Sequence, residues 1–323
     1  MGIVLTARGE SFPIRGSFTI SRGSKTQSDV VLVEARDGTA VGRGECVPYP
    51  RYNETVAGAL ADIAALPQGI DRARLQQIMK PGAARNAVDC ALWDLEAKRS
   101  GTPAWKLAGL PAPKPVVTAY TLSLGEPEAM GRAAAENAER PLLKLKLGGA
   151  GDIARVEAVR RNAPRTRLIV DANEGWTPDL LPDYLPEMAR LGVELIEQPL
   201  PAGKDAALKG MKRAVPVCAD ESCHGLDTLH ELVGSYDAVN VKLDKTGGLT
   251  AALAVAREAQ RLGFQVMVGC MLATSLSMAP ALLVAQLAQF VDLDGPLLLA
   301  KDRPDGIDYR DGLAHPPKPA LWG

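Results

Sequence analysis

The sequence predicts an α/β protein in which a closed parallel barrel follows a smaller N-terminal α+β unit. Residues 1 to about 46 alternate apolar and polar side chains between Gly/Asp turns, which is typical of an antiparallel meander. Residues 83–100 then place apolar side chains at helical spacing and stop at Gly101. Beyond the Pro-rich segment 111–115, short strand-like runs alternate with helical stretches, as in a (β/α) barrel.

Eight strand-like runs follow this linker, and we expect seven helical stretches between them. Eight such units over about 180 residues favour a closed barrel over an open sheet. The eighth run leads into a Pro-rich tail instead of a helix, so the prediction is a modified TIM barrel of the form (β/α)7β. The predicted strands cover residues 116–122, 142–147, 167–171, 193–198, 215–220, 238–243, 264–269 and 290–294.

The predicted domains are a capping domain at residues 1–112, the barrel at 113–311 and a tail at 312–323 that packs back on the capping domain. A chain of 323 residues with 46% hydrophobic content suits a barrel enzyme with a smaller attached domain.

The composition also argues against some classes of partner and indicates the cellular compartment. The net charge of -1, without a basic stripe, argues against nucleic acid and anionic membranes as partners. The first residues lack the apolar core of a signal peptide, and no run is long enough for a membrane span, so a cytoplasmic protein is expected. The five cysteines are scattered without a CxxC pair, which predicts neither disulfides nor a zinc site. The oligomeric state is left open, and a homo-oligomer is compatible with the sequence.

Lys144 and Lys146 lie in the middle of the apolar run 142–147. Successive side chains of a strand point to opposite faces, so both lysines face the same way. Burying two ammonium groups is costly, and each charge disfavours the other, which favours a neutral, basic amine near neutral pH. We interpret the pair as catalytic; the alternative is an edge strand with one solvated face.

Acidic residues end three consecutive predicted strands, at the edge where the active sites of such barrels lie. Asp171 ends the third strand, Glu197 the fourth and Asp220 the fifth. One acidic residue at a strand end is more often a solvated group, but three that converge repel each other unless a cation lies among them. Oxygen ligands of this kind favour Mg²⁺. Asn173 and Glu221 lie beside these residues and are candidates for orienting them.

Lys242 ends the sixth strand, which lies opposite the second in an eight-stranded barrel. Lys146 and Lys242 are therefore predicted to face each other, with the acidic residues on the arc between them. One base on each face of a carbon atom can take a proton from one side and return one to the other. Lys245 is the alternative to Lys242, and it is less favoured because it falls in the turn that follows.

Asp292 and Asp294 share one face of the eighth strand, opposite the fourth. Two carboxylates in this place suit a cationic group of a substrate, such as an ammonium. An ordinary acidic loop is the alternative, and the motif alone favours it slightly.

Together, these motifs resemble the enolase superfamily in its muconate lactonizing branch, and most closely its dipeptide epimerases. The resemblance covers nearly the whole chain. The Lys-x-Lys pair, the Asp/Glu/Asp set and the sixth-strand lysine mark the branch, and the Asp-x-Asp pair marks the dipeptide epimerases. The segments that carry the resemblance are residues 44–52, 81–87, 144–146, 171–174, 197–201, 218–224, 240–249, 269–272 and 292–296.

The resemblance implies an isomerase that transfers a proton at the α-carbon of the C-terminal residue of a dipeptide, L-Ala-D/L-Glu above all, in murein peptide metabolism. It implies one Mg²⁺ per subunit, or Mn²⁺ in its place, bound by the three strand-end acids. The acid/base pair would be Lys146 and Lys242, with Lys144 as an electrostatic helper. Arg22 would meet the glutamate side chain, unless it is an ordinary solvated turn arginine. Segments 16–28 and 46–54 would form lids. The implied metal ligands are Asp171, Glu197 and Asp220, and the implied ammonium ligands are Asp292 and Asp294.

A dipeptide epimerase of other specificity remains open from the sequence, and so do three other kinds of function. The same scaffold serves o-succinylbenzoate synthases and cycloisomerases, whose substrates lack an ammonium group. A Schiff-base aldolase would use one of the lysines and need no metal. A metal-stabilised binding protein is least favoured, because holding an ion does not require two opposed buried lysines.

Overall fold

The structure, a computed structural model, describes residues 2–323 and begins with an antiparallel sheet. Three strands, β1 (Val4–Ile20), β2 (Gly23–Asp37) and β3 (Ala40–Cys46), pair in chain order. The alternation of the sequence places Val31, Val33 and Ala35 of β2 in the core of the N-terminal domain, while Val30 and Leu32 on the opposite face join the main core. The meander expected for residues 1–46 is confirmed.

The N-terminal sheet packs closely on one long helix. The helices of this part are α1 (Val56–Ala64), α2 (Arg72–Ile78), α3 (Ala83–Ser100) and α4 (Ala104–Leu107). A Cβ added at Gly42 or Gly44 would lie about 2 Å from the backbone oxygens of Ala91 and Ala87 in α3. Only glycine allows this approach of strand and helix.

Eight parallel strands form the second sheet, in chain order from β5 to β12. The ring closes where the Ala119 amide, just before β5, donates to the Val291 carbonyl of β12 at 2.8 Å. The modified TIM barrel expected from the sequence is confirmed. The short strand β4 (Val116–Val117) precedes it, and the barrel strands are β5 (Tyr120–Leu122), β6 (Leu142–Lys146), β7 (Arg167–Asp171), β8 (Val193–Glu197), β9 (Val217–Ala219), β10 (Ala238–Val241), β11 (Gln265–Gly269) and β12 (Phe290–Asp292).

Helices of very different length connect these strands. After β12 the chain makes one short helix and a small hairpin, β13 (Tyr309–Arg310) and β14 (Leu313–Ala314), which pairs with β4. The helices are α5 (Pro127–Glu136), α6 (Asp152–Asn162), α7 (Leu181–Arg190), α8 (Leu226–Leu229), α9 (Leu243–Thr246), α10 (Leu249–Arg261), α11 (Ser275–Ala285) and α12 (Gly295–Leu298). Short 3-10 turns occur at Pro50–Tyr52, Pro178–Leu180, Ala206–Leu208 and His230–Leu232.

Three local expectations were wrong. The connection between β8 and β9 holds only the turn Ala206–Leu208 in place of a helix, because prolines and glycines crowd residues 199–216. The run 116–122 splits into two strands, since Val116–Val117 pairs with β14. Lys242 follows the last residue of β10 instead of lying within the strand, and Lys245 lies in α9.

The barrel interior changes from apolar to charged along the strands. A layer at the amino ends holds one side chain for each of the eight strands, including Leu142, Ile169 and Leu195. Two and four residues further along β6, the same inward face carries Lys144 and Lys146. The outward residues of β6 pack in the main core between barrel and helices. The fold therefore concentrates charge at the carboxyl ends of the strands.

The N-terminal sheet and its helices lie over this charged end of the barrel. Asp244 Oδ1 accepts hydrogen bonds from Asn86 Nδ2 at 2.8 Å and from the Val47 amide at 3.1 Å. The end of the chain returns to α3, where Trp322 Nε1 donates to the Cys90 carbonyl at 3.0 Å. Among residues 2–323, the helices are all too short or too polar to traverse a lipid bilayer.

Candidate active site

A cavity of about 460 Å³ lies between the barrel and the N-terminal domain. Residues from both parts line it, so the cavity has two walls. The barrel wall includes Thr121, Lys146, Asp220, Lys242, Asp292 and Asp294. The capping wall includes Phe18, Arg22, Lys25, Tyr49, Arg51 and Tyr52.

The predicted lysine pair on β6 is buried. The strand register aligns Lys146 with Asp171 of β7, and Asp171 in turn with Glu197 of β8. Lys146 Nζ lies 2.6 Å from Asp171 Oδ2. Lys144 lies one layer deeper, with its Nζ 2.6 Å from Glu197 Oε2 and 2.7 Å from Asp292 Oδ2. Of the two lysines, only Lys146 reaches the cavity.

A second pair of lysines approaches from the end of β10. Lys242 Nζ lies 2.6 Å from Asp220 Oδ2, and Lys245 Nζ lies 2.6 Å from Asp220 Oδ1. Lys242 lines the cavity, whereas Lys245 does not. The Nζ atom of Lys245 also donates a hydrogen bond to the Asn240 carbonyl at 3.0 Å. Since β6 and β10 are the second and sixth of eight strands, Lys146 and Lys242 enter one cavity from opposite sides of the barrel.

The acidic residues of this cluster have strongly shifted pKa values. Burial raises the pKa of Asp171, but Lys146 and Lys144 outweigh this effect and hold it at about 2. Burial and the charge of Asp171 raise the pKa of Glu197 to about 7, although Lys144 opposes the shift. For Asp220, Lys242 and Lys245 overcome burial and hold the pKa well below its usual value. The three carboxyl groups therefore differ strongly in how readily they lose their protons.

The closeness of Lys144 and Lys146 does not lower the pKa of Lys144, contrary to the expectation from the sequence. Burial lowers the pKa of Lys144, but attraction to Asp292, Glu197 and Asp171 is stronger and raises it well above its usual value. The pKa of Lys242 is raised in the same way by Asp220 and Glu197 against the effect of burial. The expectation was wrong for Lys144 because three carboxylates lie 2.6–3.2 Å from its amine.

The donor chemistry of the cluster fits a hard divalent cation. Six buried carboxylates face four amines and one guanidinium, so the cluster offers more oxygen donors than its own cations engage. Glu197 Oε2, Glu221 Oε2 and Asn173 Oδ1 are buried without hydrogen-bond partners, although Glu197 Oε2 forms the ion contact with Lys144. Oxygen donors in such excess suit Mg²⁺. The carboxylates are Asp171, Glu197, Asp220, Glu221, Asp292 and Asp294, and the amines are Lys144, Lys146, Lys242 and Lys245.

The same carboxylates are not arranged as a finished ion site. Within residues 2–323, no three acidic, histidine or cysteine side chains converge as ligands of one point. Lysine amines lie against Asp171, Glu197 and Asp220 instead. An ion would therefore have to take these oxygens from the amines.

Asp292 and Asp294 lie on the barrel wall at the end of β12. Asp292 is held by Lys144, and Asp294 Oδ2 accepts a hydrogen bond from the Thr121 amide at 2.6 Å. Burial, together with the charge of Asp292, raises the pKa of Asp294 to about 7. The pair faces the cavity but carries less than two full negative charges near neutral pH.

Arg22, at the turn between β1 and β2, reaches across to the barrel. Its Nη2 donates to Glu221 Oε1 at 2.7 Å, and its Nη1 donates to the Asn173 carbonyl at 2.9 Å and to Glu174 Oε2 at 3.2 Å. Arg51 binds the same carboxylate, with its Nη2 2.9 Å from Glu174 Oε1. The two arginines fasten both predicted lid segments to the end of β7.

Sequence reasoning missed several residues of the capping wall. Lys25, Arg51 and Tyr52 received no role, although each lines the cavity. The pairing of Lys25 with Phe18 across a hairpin could have identified Lys25, but this register depends on an irregularity of β1 between residues 13 and 18. Tyr52 packs edge-on against His224 through a contact between distant segments, which the sequence does not signal.

The two parts of the chain each match a known family. Residues 3–109 match the N-terminal domain of mandelate racemase / muconate lactonizing enzyme, and residues 129–320 match the enolase C-terminal domain-like family. The chain therefore belongs to the enolase superfamily, in the mandelate racemase / muconate lactonizing enzyme family. The resemblance inferred from the sequence motifs is confirmed.

Within this family, the chain is similar to enzymes that act on glutamate derivatives. It is 45% identical over 312 residues to the L-Ala-D/L-Glu epimerase of Escherichia coli (strain K12), covering 95% of this chain and 97% of the relative. It is 43% identical over 300 residues to the N-acetyl-D-glutamate racemase of Pseudoalteromonas sp., covering 91% and 95%.

Solved structures of relatives contain metal ions and dipeptides. An enolase family member from Agrobacterium tumefaciens with homology to dipeptide epimerases, with bound sodium and L-Ala-L-Glu, is 57% identical with a TM-score of 0.97, covering 99% of this chain and 100% of that one. A dipeptide epimerase from Enterococcus faecalis V583, complexed with Mg and L-Leu-L-Tyr, is 29% identical with a TM-score of 0.91, covering 98% of each chain.

Proposed function

We propose that the protein is an isomerase that epimerises dipeptides by moving a proton at the α-carbon of the C-terminal residue, with L-Ala-D/L-Glu as substrate. One observation carries the proposal. Lys146 and Lys242 enter the same cavity from opposite sides of the barrel, with side chains 9% and 8% exposed. Two amines placed in this way can serve the two faces of one carbon atom. The similarity to an L-Ala-D/L-Glu epimerase of nearly equal length supports it.

The chain's own groups account for the proton transfer. With the oxygens of Asp220 engaged by a metal ion, Lys242 would lose the main attraction that raises its pKa. In the proposed reaction, one of Lys146 and Lys242 takes the α-proton as a neutral amine, and the other, as an ammonium, returns a proton to the opposite face. The roles reverse for the other epimer. A carboxylate of the substrate that develops enediolate character would lie towards Lys144, whose buried charge stabilises it.

Asp171, Glu197 and Asp220 are the residues that would hold the metal ion. Bound there, Mg²⁺ would act as a Lewis acid for the substrate carboxylate. We propose one Mg²⁺ per subunit, with Mn²⁺ able to replace it, since magnesium accompanies dipeptides in solved relatives. The metal content of the purified protein, measured by elemental analysis against protein concentration, tests this stoichiometry.

The ends of the substrate would be held by different walls. Asp292 and Asp294, on the barrel wall, would bind the ammonium of the N-terminal alanine. The side chain of the C-terminal glutamate would extend towards the capping wall, which carries cationic residues. Fixing both ends aligns the Cα–H bond with one of the lysines.

A second candidate function is racemisation of N-acylated glutamate. Asp292 is neutralised by Lys144, and the pKa of Asp294 is about 7, so a free substrate ammonium meets reduced negative charge. A relative at 43% identity is an N-acetyl-D-glutamate racemase. Both candidates share glutamate as the reacting residue and differ in the group on its nitrogen.

An exchange experiment in deuterated water separates the candidates. The Mg²⁺-loaded protein is incubated with L-Ala-L-Glu or with N-acetyl-L-glutamate, and deuterium at the α-carbon is followed by NMR and mass spectrometry. We expect uptake into the glutamate residue of L-Ala-L-Glu, appearance of its epimer, and a much lower kcat/KM for N-acetyl-L-glutamate. Faster exchange of the N-acetyl compound would establish the second candidate, and exchange of neither would refute both.

The remaining parts of the proposal concern the cellular location, pathway and partners of the enzyme and the division of the chain into domains. We propose a cytoplasmic enzyme of murein peptide metabolism that acts on a small molecule and binds neither nucleic acid nor membranes. We also propose the domain division at residues 112 and 311. Loss of growth on a murein dipeptide as sole nitrogen source, after deletion of the gene, is the expected physiological phenotype.

A further inference from the structure

Five cationic side chains line the cavity, and four of them already have acidic partners. Lys146 pairs with Asp171, and Lys242 pairs with Asp220. The two arginines pair with Glu174, and Arg22 also pairs with Glu221. Among the cations lining the cavity, which all fall in the described part of the chain, Lys25 is the one that forms no ion pair. The lining cations are Arg22, Lys25, Arg51, Lys146 and Lys242.

Arg22 has little hydrogen-bonding capacity left for a ligand. Both of its terminal nitrogens make two contacts each: Nη1 with Asn173 and Glu174, and Nη2 with Glu221 and, at 3.4 Å, with Tyr49 Oη. Glu221 is only 2% exposed, so losing Arg22 would leave a buried carboxylate without its partner. The two-pronged fork that makes arginine a good carboxylate ligand is therefore occupied.

Lys25 faces the cavity from the hairpin that carries Arg22. It lies directly opposite Phe18 in the β1–β2 ladder, and opposite residues of an antiparallel pair share a face. The ring of Phe18 has its centroid 5.9 Å from Lys146 Nζ, so this face of the hairpin looks onto the amine proposed to move the proton. Lys25 Nζ lies 5.1 Å from the ring centroid of Tyr49, which gives the ammonium an aromatic neighbour and leaves its N–H donors free.

We infer that Lys25 binds the side-chain carboxylate of the reacting residue, and that Arg22 acts as a positioning residue that fastens the hairpin to the barrel. This inference rests on the proposed function and names its specificity residue. It differs from the role that the sequence resemblance gave to Arg22. An ammonium on an exposed hairpin can follow the substrate, whereas the guanidinium is fixed by barrel residues.

A substrate pair that differs in one charge tests the inference. L-Ala-L-Glu and L-Ala-L-Gln have nearly the same shape, but only the first has a side-chain carboxylate. For Lys25→Met, we expect the ratio of kcat/KM for L-Ala-L-Glu to that for L-Ala-L-Gln to fall roughly 10-fold, mainly through KM for the charged substrate. Lys25→Arg restores the ratio because it keeps the charge.

Arg22→Met is the matched comparison on the same hairpin. Because Arg22 is inferred to hold the lid, its loss lowers kcat/KM for both dipeptides by a similar factor. An unchanged ratio in Lys25→Met, or a selective loss of the glutamate substrate in Arg22→Met, would overturn the assignment.

Charge reversal gives an independent readout. Lys25→Glu should raise the ratio of kcat/KM for L-Ala-L-Lys to that for L-Ala-L-Glu by more than about 10-fold. The introduced carboxylate would attract the lysine side chain of the substrate and repel the glutamate side chain. No change in this ratio would count against the inference. If the unmodified protein exchanges the α-proton of none of these dipeptides, the proposed function itself fails. If it exchanges them while the ratios stay constant, only the role of Lys25 fails.

Discussion

The two walls of the cavity are built in different ways. On the barrel wall, the charged side chains are buried, stand on or directly after strands, and bind one another at 2.6–2.7 Å. On the capping wall, Arg22, Lys25 and Arg51 are exposed and lie on a hairpin and a loop. The barrel wall can thus keep atoms in fixed places for chemistry, while the capping wall can change with the substrate. The predictions below test this division of roles.

Removal of the metal ion should have the largest effect, because we propose that the ion binds at the barrel wall. We expect a chelator to reduce α-proton exchange at least about 1,000-fold, since the enediolate charge then lacks its strongest counter-charge. The melting temperature should fall as well, because the buried carboxylates lose a ligand that stabilises the folded state. Exchange and melting temperature are measured before and after Mg²⁺ is restored. A metal-free protein that keeps its full rate would contradict the prediction.

Asp294→Asn removes an ionisable carboxyl group, partly charged near neutral pH, from the barrel wall without removing a hydrogen-bond acceptor. The new amide oxygen can still accept from the Thr121 amide. We expect kcat/KM for L-Ala-L-Glu to fall by about 10- to 100-fold, in line with loss of a charged hydrogen bond. N-acetyl-L-glutamate, which has no ammonium, is the control substrate. Equal losses for the two compounds would show that Asp294 does not recognise the ammonium.

Asp244 lies where the barrel meets the N-terminal domain. Its raised pKa predicts that the stability of the fold depends on pH. Burial raises its pKa to about 7, although hydrogen bonds from Asn86 and Val47 oppose the shift. The folded state therefore binds this proton more tightly than the unfolded state, whose pKa is near 3.8. The contribution of protonated Asp244 to the free energy of unfolding is fully present below about pH 4 and is lost as the pH rises towards 7.

Asp244→Asn imitates the protonated carboxyl and keeps an oxygen that accepts both hydrogen bonds. We expect the free energy of unfolding of the variant to exceed that of the unmodified protein at pH 8 by on the order of 2–4 kcal/mol, and the difference to vanish near pH 4. Urea unfolding at both pH values measures it. A difference that does not depend on pH would refute the raised pKa.

Arg51→Met should have the smallest effect, because it removes an exposed contact of the capping wall. The Arg51 side chain is 39% exposed, and Arg22 also binds Glu174. We expect KM for L-Ala-L-Glu to rise only about 2- to 3-fold, with kcat nearly unchanged. Steady-state kinetics at low and high salt provide the measurement. A loss as large as that of a barrel-wall variant would show that the capping wall also positions the reacting atoms.

The sequence predicted the barrel wall better than the capping wall for a physical reason. The alternation of side chains along a strand fixes which residues share a face, so Lys144 and Lys146 could be placed from their spacing. The parallel order of the strands likewise brought Asp171 next to Glu197. No comparable rule connects Tyr52 with His224, or Arg51 with Glu174, because these contacts join distant loops.

The charge states of the buried lysines and carboxylates could not be predicted from the sequence either. From spacing alone, Lys144 and Lys146 are each other's neighbours, and repulsion should lower their pKa values. In the structure, the carboxylates of other strands lie closer, and the pKa of Lys144 is raised. A pKa depends on every charge within a few ångströms, and most of these charges come from other parts of the chain.

Proton exchange by single lysine variants tests the central claim most directly. Lys146→Ala and Lys242→Ala are each incubated in deuterated water with L-Ala-L-Glu and, separately, with L-Ala-D-Glu. We predict that each variant loses epimerisation by about 100- to 10,000-fold, the range expected for a positioned acid or base. We also predict that one variant still exchanges the α-proton of one epimer only, and the other variant that of the opposite epimer. Full epimerisation by either variant, or exchange of both epimers by the same variant, would contradict the account.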